Sequence, residues 1–308
     1  MIEYVIIARE EFLFMRDFVI ISDGSCDLST EKAKDLGVEI VPFMIKFLDD
    51  EYKREGVDIK VRDFYQLLVD NPNVFPKSSL PPVSDYLNVF KKYLDQNLDV
   101  ICLCISTKLS GSYNSAMQAK QTLEEDYKDA RITVIDTKSV TALQGLIVKE
   151  AVRVKNLGYT YDEVVEAICS HLSSGRIFFT IKGLAYLKNG GRIGKVSSLI
   201  GDFLKIAPII TFKDGEIFSS GVAISRQRSL AKIKQLATSY LIDSKASPET
   251  YCLGVGYGYD IEEGKKFLAD IKKMFPEYEI DFEQIGSAIS AHTGPYPLGF
   301  GFIKKFDK

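Results

Sequence analysis

The sequence predicts an α/β protein of two domains: an N-terminal parallel sheet sandwiched by helices, and a C-terminal α/β domain with a mixed sheet. Three observations lead there. Short apolar runs alternate with amphipathic helical stretches through the first half. Such repeated strand–turn–helix units build parallel sheets with right-handed crossovers. After about Gly158 the pattern changes, and Lys213-Asp214-Gly215 between two apolar runs reads as a hairpin turn. At 308 residues the chain also exceeds one average domain. The expected division is an extension over 1–14, a first domain over 15–158 and a second over 159–308.

The elements follow in order. Residues 18–21 form the first strand, 22–27 turn, and a helix follows that Ser29 or Thr30 caps and Gly37 ends. Residues 38–47 read as one strand. A helix near 61–69 places Phe64, Leu67 and Leu68 on one face. Pro81 and Pro82 suit a helix start, and Leu87, Phe90 and Leu94 form its apolar stripe. The continuous apolar run 100–105 suits a strand covered on both faces. A helix over 113–125, a strand over 132–135 and a helix over 140–156 complete the first half. The second half opens with a helix over 161–172, a strand over 177–181 and a glycine-rich stretch over 189–194. Hairpin strands 208–212 and 217–224 come next. Helices over 227–241 and 262–274 then alternate with strands 253–257 and 279–285, and the last strand is 300–304.

Composition excludes several classes. A net charge of −3 leaves no basic footprint for nucleic acid or an anionic membrane surface. No apolar run approaches the roughly 20 residues that span a bilayer, so no stable membrane insertion is expected. Residues 5–8 are too short for a signal-peptide core, which points to the cytoplasm. Residues 1–14 fit either a dispensable extension or an added edge element. Cys26, Cys102, Cys104, Cys169 and Cys252 are an odd number without framework spacing, as reduced thiols are. With two histidines in the chain, no metal site is expected.

Three hydroxyl clusters share one expected address, the loop between an extended segment and a helix start. They are Ser78-Ser79, Ser106-Thr107 with Ser110-Gly111-Ser112, and Thr137 with Ser139. Ligands of open parallel sheets bind beyond the carboxyl ends of the strands, where helix N-termini favour anions. Each cluster is equally consistent with simple helix capping. Their serine and threonine hydroxyls can add donors without adding charge. His292 stands in an expected irregular segment, and His171 on a helix surface. Gly190-Gly191-Arg192-Ile193-Gly194 lacks the context of a nucleotide loop. Arg226 and Arg228, at a predicted helix start, fit a partner-docking face or a solvated surface.

Five ordered motifs then carry a resemblance. Ser22-Asp23-Gly24-Ser25-Cys26-Asp27-Leu28, Ser78-Ser79-Leu80-Pro81, Leu109-Ser110-Gly111-Ser112, Leu187-Lys188-Asn189-Gly190-Gly191-Arg192-Ile193 and His292-Thr293-Gly294-Pro295 resemble the DegV family of bacterial fatty-acid-binding proteins. The resemblance covers the chain from about residue 16 onward. It implies a long-chain fatty acid buried between or within two α/β domains, with no other cofactor. It further implies a non-catalytic role as the acyl-binding subunit of a two-component system. There a separate ATP-dependent fatty acid kinase phosphorylates the carboxylate for phospholipid synthesis. The carboxylate-binding residues map onto Ser78, Ser110 and His292, supported by Ser79, Gly111, Gly191 and Arg192. Ser78 stands where threonine is more usual, and Ala207 precedes Pro208 where lysine is expected. The rival readings are a serine hydrolase using Ser110 and His292, or a small-anion or nucleotide-binding regulatory module.

Overall fold

The computed structural model describes residues 16–48, 51–197 and 207–307; the expected extension over 1–14 lies outside them. The first sheet is four parallel strands: Phe18–Asp23 (β1), Val38–Val41 (β2), Asp99–Cys104 (β6) and Ile132–Asp136 (β7), in the order β2-β1-β6-β7. The two central strands are buried at every residue, as continuous apolar runs require. Their side chains alternate between two cores. Val19, Ile21, Cys102 and Cys104 face the helices Val83–Leu94 (α3) and Ser112–Glu124 (α4), where they meet Tyr86, Phe90 and Ala116. Phe18, Ile20, Ile101 and Leu103 face the opposite way, toward helix Thr141–Asn156 (α5).

The second sheet has six strands: Arg176–Thr180 (β8), Ala207–Lys213 (β9), Glu216–Ala223 (β10), Tyr251–Tyr257 (β11), Ile280–Gln284 (β12) and Leu298–Lys304 (β13). Their order is β10-β9-β8-β13-β11-β12, antiparallel except for the β11–β12 pair. The expected turn at Lys213-Asp214-Gly215 joins β9 to β10, with both Asp214 and Gly215 at positive φ. Helices Arg226–Asp243 (α8) and Ile261–Met274 (α9) cover one face.

The other face of this sheet packs on α5. That helix is buried on nearly every side, from Leu143 and Leu146 to Val154. A helix apolar all round belongs inside a protein, and here it lies between two sheets. Its polar residues are paired across that layer: Lys149 Nζ lies 2.9 Å from both Asp281 and Glu283. The carboxylate of Glu150 accepts from Arg153 and from the Phe306 N–H. One apolar core therefore holds residues from both predicted domains, among them Ile20, Leu103, Ile177, Phe212 and Ile303.

Two expectations fail locally. Residues 38–47 are not one strand. Pro42 fixes φ and lacks an N–H, and the chain leaves the parallel sheet there. It resumes as Met44–Lys46 (β3) in a small antiparallel sheet with Lys53–Arg54 (β4) and Lys77–Ser79 (β5). The segment around His292 is not irregular either: Ser287–Thr293 is a helix (α10), entered through Gly286 and ended by Gly294 at φ 76°. Helix Ala185–Asn189 (α7) precedes the glycine-rich stretch.

A Cβ at Gly145 of α5 would stand 2.8 Å from the Cys26 carbonyl oxygen. Gly145→Ala is expected to cost about 1–3 kcal/mol through forced backbone shifts, read as a lower urea midpoint. An unchanged midpoint would show α5 free to retreat.

Candidate functional site

A cavity of about 220 Å³ lies where α5, both large sheets and the small sheet meet. That far exceeds the roughly 10–15 Å³ one buried water needs. Its walls are mainly apolar, with Phe43, Ile105, Val140, Ile177, Phe179 and Phe212 drawn from both halves of the chain. Ser78, Ser79, Ser110, Arg192 and His292 line it as well.

These polar residues are linked by contact. Ser78 Oγ lies 2.7 Å from His292 Nε2. His292 Nδ1 turns toward Gly190, where a Cβ would stand 2.0 Å away. The Gly190 carbonyl accepts from Arg192 Nη1 at 2.7 Å, and Arg192 Nε donates to the Leu109 carbonyl at 3.1 Å. Leu109 leads to Ser110, whose Oγ accepts from the Ser112 N–H at 3.2 Å. The Ser110 hydroxyl keeps its own proton to donate. Burial, and then the Arg192 charge, lowers the His292 pKa to about 4, so the imidazole is neutral at neutral pH. Two expectations change here. The hydroxyl donors are joined by a cation, since Arg192 lines the cavity wall. His292 pairs with Ser78 rather than Ser110, and its Nδ1 has no hydrogen-bond partner among the described residues. Among the described residues no acid bonds that nitrogen, where a serine hydrolase has its orienting acid.

The hydroxyl clusters do not share one address. Ser78 and Ser79 sit on β5 of the small sheet, where they pair with Ile45 and Met44. Ser106 and Thr137 do stand beyond the parallel strands, but they tie loops together. Ser106 Oγ donates to the Gly215 carbonyl and Thr137 Oγ1 to the Cys104 carbonyl, both at 2.8 Å. Gly111 underlies Leu80, and Gly191 supplies a turn at φ 69°. Neither Arg226 nor Arg228 lines the cavity: Arg226 Nε and Nη2 both donate to the Glu263 carboxylate, while Arg228 is exposed. His171 closes its helix and meets Asp307 at 3.1 Å.

The DegV family model matches residues 17–305, nearly the whole described chain. The chain belongs to the DegV family. A DegV domain-containing protein of Clostridium perfringens is 30% identical over 294 residues, covering 94% of this chain and 100% of that one. The structure of a stearic-acid-binding protein from Eubacterium ventriosum superposes with a TM-score of 0.89 at 40% identity, covering 94% and 99% of the two chains. A DegV family protein from Thermus thermophilus shares the fold at 24% identity, with a TM-score of 0.83 and coverage of 94% and 99%.

In this DegV protein, buried acids that the sequence reading did not single out position the site. Asp23 is fully buried and satisfied by four donors: Ser25 Oγ, Gln144 Nε2, the Ile105 N–H and Ser112 Oγ, at 2.5–2.9 Å. It thereby joins β1, the Ser110 loop and α5. Asp27 and Glu55 hold the start of the His292 helix. Asp27 Oδ1 accepts from the Gly286 N–H at 2.9 Å, and Glu55 Oε1 accepts from the N–H groups of Ser287 and Ala288. Acceptors at a helix N-terminus satisfy its orphan N–H groups. A separate cleft of about 700 Å³ is lined in part by Asp27 and Glu55. Burial raises Asp27 well above the carboxylate range and Glu55 to about 7. Thr141, on the cavity wall at φ 51°, is also strained. The signals for the acids were Asp27 in the first motif and the glycine at 286, since a Cβ there would collide with both carboxylates.

The signs of two titrations oppose each other. His292 is lowered, so its contribution is present above its unfolded value of about 6.5 and is lost as pH falls toward 4. Glu55 is raised, so its contribution is full below about 4.5 and is lost as pH rises toward 7. His292→Gln is therefore expected to flatten the loss of stability between pH 6.5 and 4. Glu55→Gln is expected to remove a loss between pH 4.5 and 7. Thermal melting across pH checks both, and coincident profiles for wild type and both variants would refute the assignment.

Proposed function

We propose that this protein binds one long-chain fatty acid in the cavity and presents its carboxylate to a separate ATP-dependent kinase subunit for acyl phosphate formation. The observation that carries the binding reading is the cavity itself: apolar walls from both halves of the chain, with one linked cluster of Ser78, His292, Arg192 and Ser110. The relative from Eubacterium ventriosum, described as stearic-acid-binding, supports the ligand class. Burying a methylene is worth about 0.8 kcal/mol, so a tail of about 16 carbons offers roughly 11 kcal/mol before ordering costs. The tail supplies most of the affinity, and the head group sets orientation.

The neutral imidazole suits this task. With the Nε2–H tautomer donating to Ser78, the Ser78 O–H turns to the carboxylate, and Ser110 supplies a second hydroxyl. Arg192 has two N–H groups held by backbone carbonyls, so its charge stands near the head group with a fixed orientation. The kinase step rests on the family resemblance, and the exposed Arg228 beside Arg226 is the proposed docking face. The chain contributes ligand binding and no bond-breaking residue of its own.

Native mass spectrometry of the purified protein, followed by solvent extraction, tests the binding reading. One acid per chain is expected, and an empty protein that refuses added palmitate and oleate would overturn it. Ser78→Ala is expected to weaken binding by roughly tenfold or more, the value of one charge-assisted hydrogen bond. Titration calorimetry reads this directly. Acyl phosphate formation on addition of a fatty acid kinase subunit and ATP tests the second step, and bound acid that is never phosphorylated would remove it.

A further inference from the structure

Strands β11 and β13 pair in the interior of the six-stranded sheet, and glycines face one another across them: Gly254 opposite Gly301, and Gly256 opposite Gly299. Glycine weakens a strand interior and commonly marks a close approach by a ligand or another backbone. All four lie on the face that looks toward α5. Leu298, Phe300 and Phe302 alternate with them and enter the core under α8 and α9. The sheet thus presents a square without side chains to the interior layer.

The four glycines have different neighbours. A Cβ at Gly254 would meet Leu146 of α5 at 3.6 Å, and one at Gly256 would meet Ala142 at 3.5 Å. Their nearest neighbours lie toward β12, Asp281 Cβ at 3.4 Å from the first and Ile285 Cγ1 at 3.2 Å from the second, so both positions are closed in by packing, although Gly256 also lines the cavity. At Gly299 a Cβ would collide with Phe179, at 2.6 Å. At Gly301 the three atoms nearest a Cβ would be Ile177 Cγ1 at 3.4 Å and the backbone oxygens of Arg176 and Gly254, at 3.5 and 3.9 Å. No atom of α5 is among those neighbours, and Gly301 lines the cavity. The next residue on the same face, Ile303, is fully buried in the shared core and lies outside the cavity wall. Along β13, then, the wall runs from Pro297 through Gly299 to Gly301 and stops before the branched Ile303. Two residues of strand span roughly 6.6 Å, so Gly301 lies farther than Gly299 from the α10 end of this strand.

We propose that Gly301 determines the length of acyl chain the cavity accepts, because its missing side chain leaves the last open stretch of sheet before Ile303. This rests on the fatty-acid reading of the cavity and names a specificity residue within it. Gly301 is extended rather than left-handed, so alanine and valine suit its backbone, and a branched residue suits a strand.

The test is binding of lauric, myristic, palmitic and stearic acids to wild type, Gly301→Ala and Gly301→Val, by titration calorimetry on delipidated protein. Melting curves establish that each variant is folded. In Gly301→Val, stearate is expected to weaken about tenfold or more, as for one misplaced methylene or methyl in an apolar pocket, while laurate stays within about twofold. Gly301→Ala should shift the profile the same way by less, and it carries the test should the valine variant fail to fold. Wild type that takes up none of the four acids would overturn the fatty-acid reading. Wild type that binds them, with a folded variant weakened equally at all lengths or at none, would overturn the role of Gly301 alone.

Discussion

Everything else in this molecule depends on one helix being buried on nearly every side. Thr141–Asn156 gives one flank to the parallel sheet and the other to the six-stranded sheet, so the two sheets share an apolar layer instead of owning separate cores. Burial of that layer supplies the main driving force for association of the two halves. The charged residues on the helix have paired accordingly, Lys149 with Asp281 and Glu283, and Arg153 with Glu150. The cavity opens near the N-terminal end of this helix, where Val140, Thr141 and Ala142 form part of its wall.

The polar site depends on that layer at second hand. His292 has a useful orientation only because its short helix is fixed at both ends. Asp27 and Glu55 hold the first N–H groups, and Gly294 turns the chain out at a backbone angle that favours glycine. Ser110 is placed by Asp23 acting through Ser112 and the Ile105 N–H. The linked cluster of Ser78, Ser110, Arg192 and His292 is therefore held by carboxylates that do not themselves line the cavity. Buried acids are a costly way to fix loops: Asp23 has donors to both oxygens, while Asp27 Oδ2 and Glu55 Oε2 have no hydrogen-bond partner among the described residues.

Much of this was legible in the sequence, for reasons that differ by element. The buried strands β1 and β6 announce themselves as unbroken apolar runs, and α3 by its spaced Leu87, Phe90 and Leu94. The motifs located Ser78, Ser110, Arg192 and His292, all of which line the cavity. What was not legible is what distant contact decides. Pro42 shows a break in pairing but not that the chain would enter a third sheet carrying Ser78. The seven residues around His292 are too few to display helical periodicity, and their stability comes from Asp27 and Glu55, more than two hundred residues earlier in the chain. Ser106 and Thr137 look like ligand donors by composition, yet backbone carbonyls already take their protons.

The shared layer has a consequence for inheritance. A boundary near residue 158 divides the sheets, but it divides neither the core nor the cavity, since each half contributes walls to both. Exchange of one half by recombination would join surfaces that had not been selected to fit, and would disturb folding and ligand fit in a single event. Duplication of one half would leave an apolar face without its partner. The unit that can be passed on intact is the entire two-sheet chain, and the Clostridium relative accordingly aligns from end to end rather than over one half.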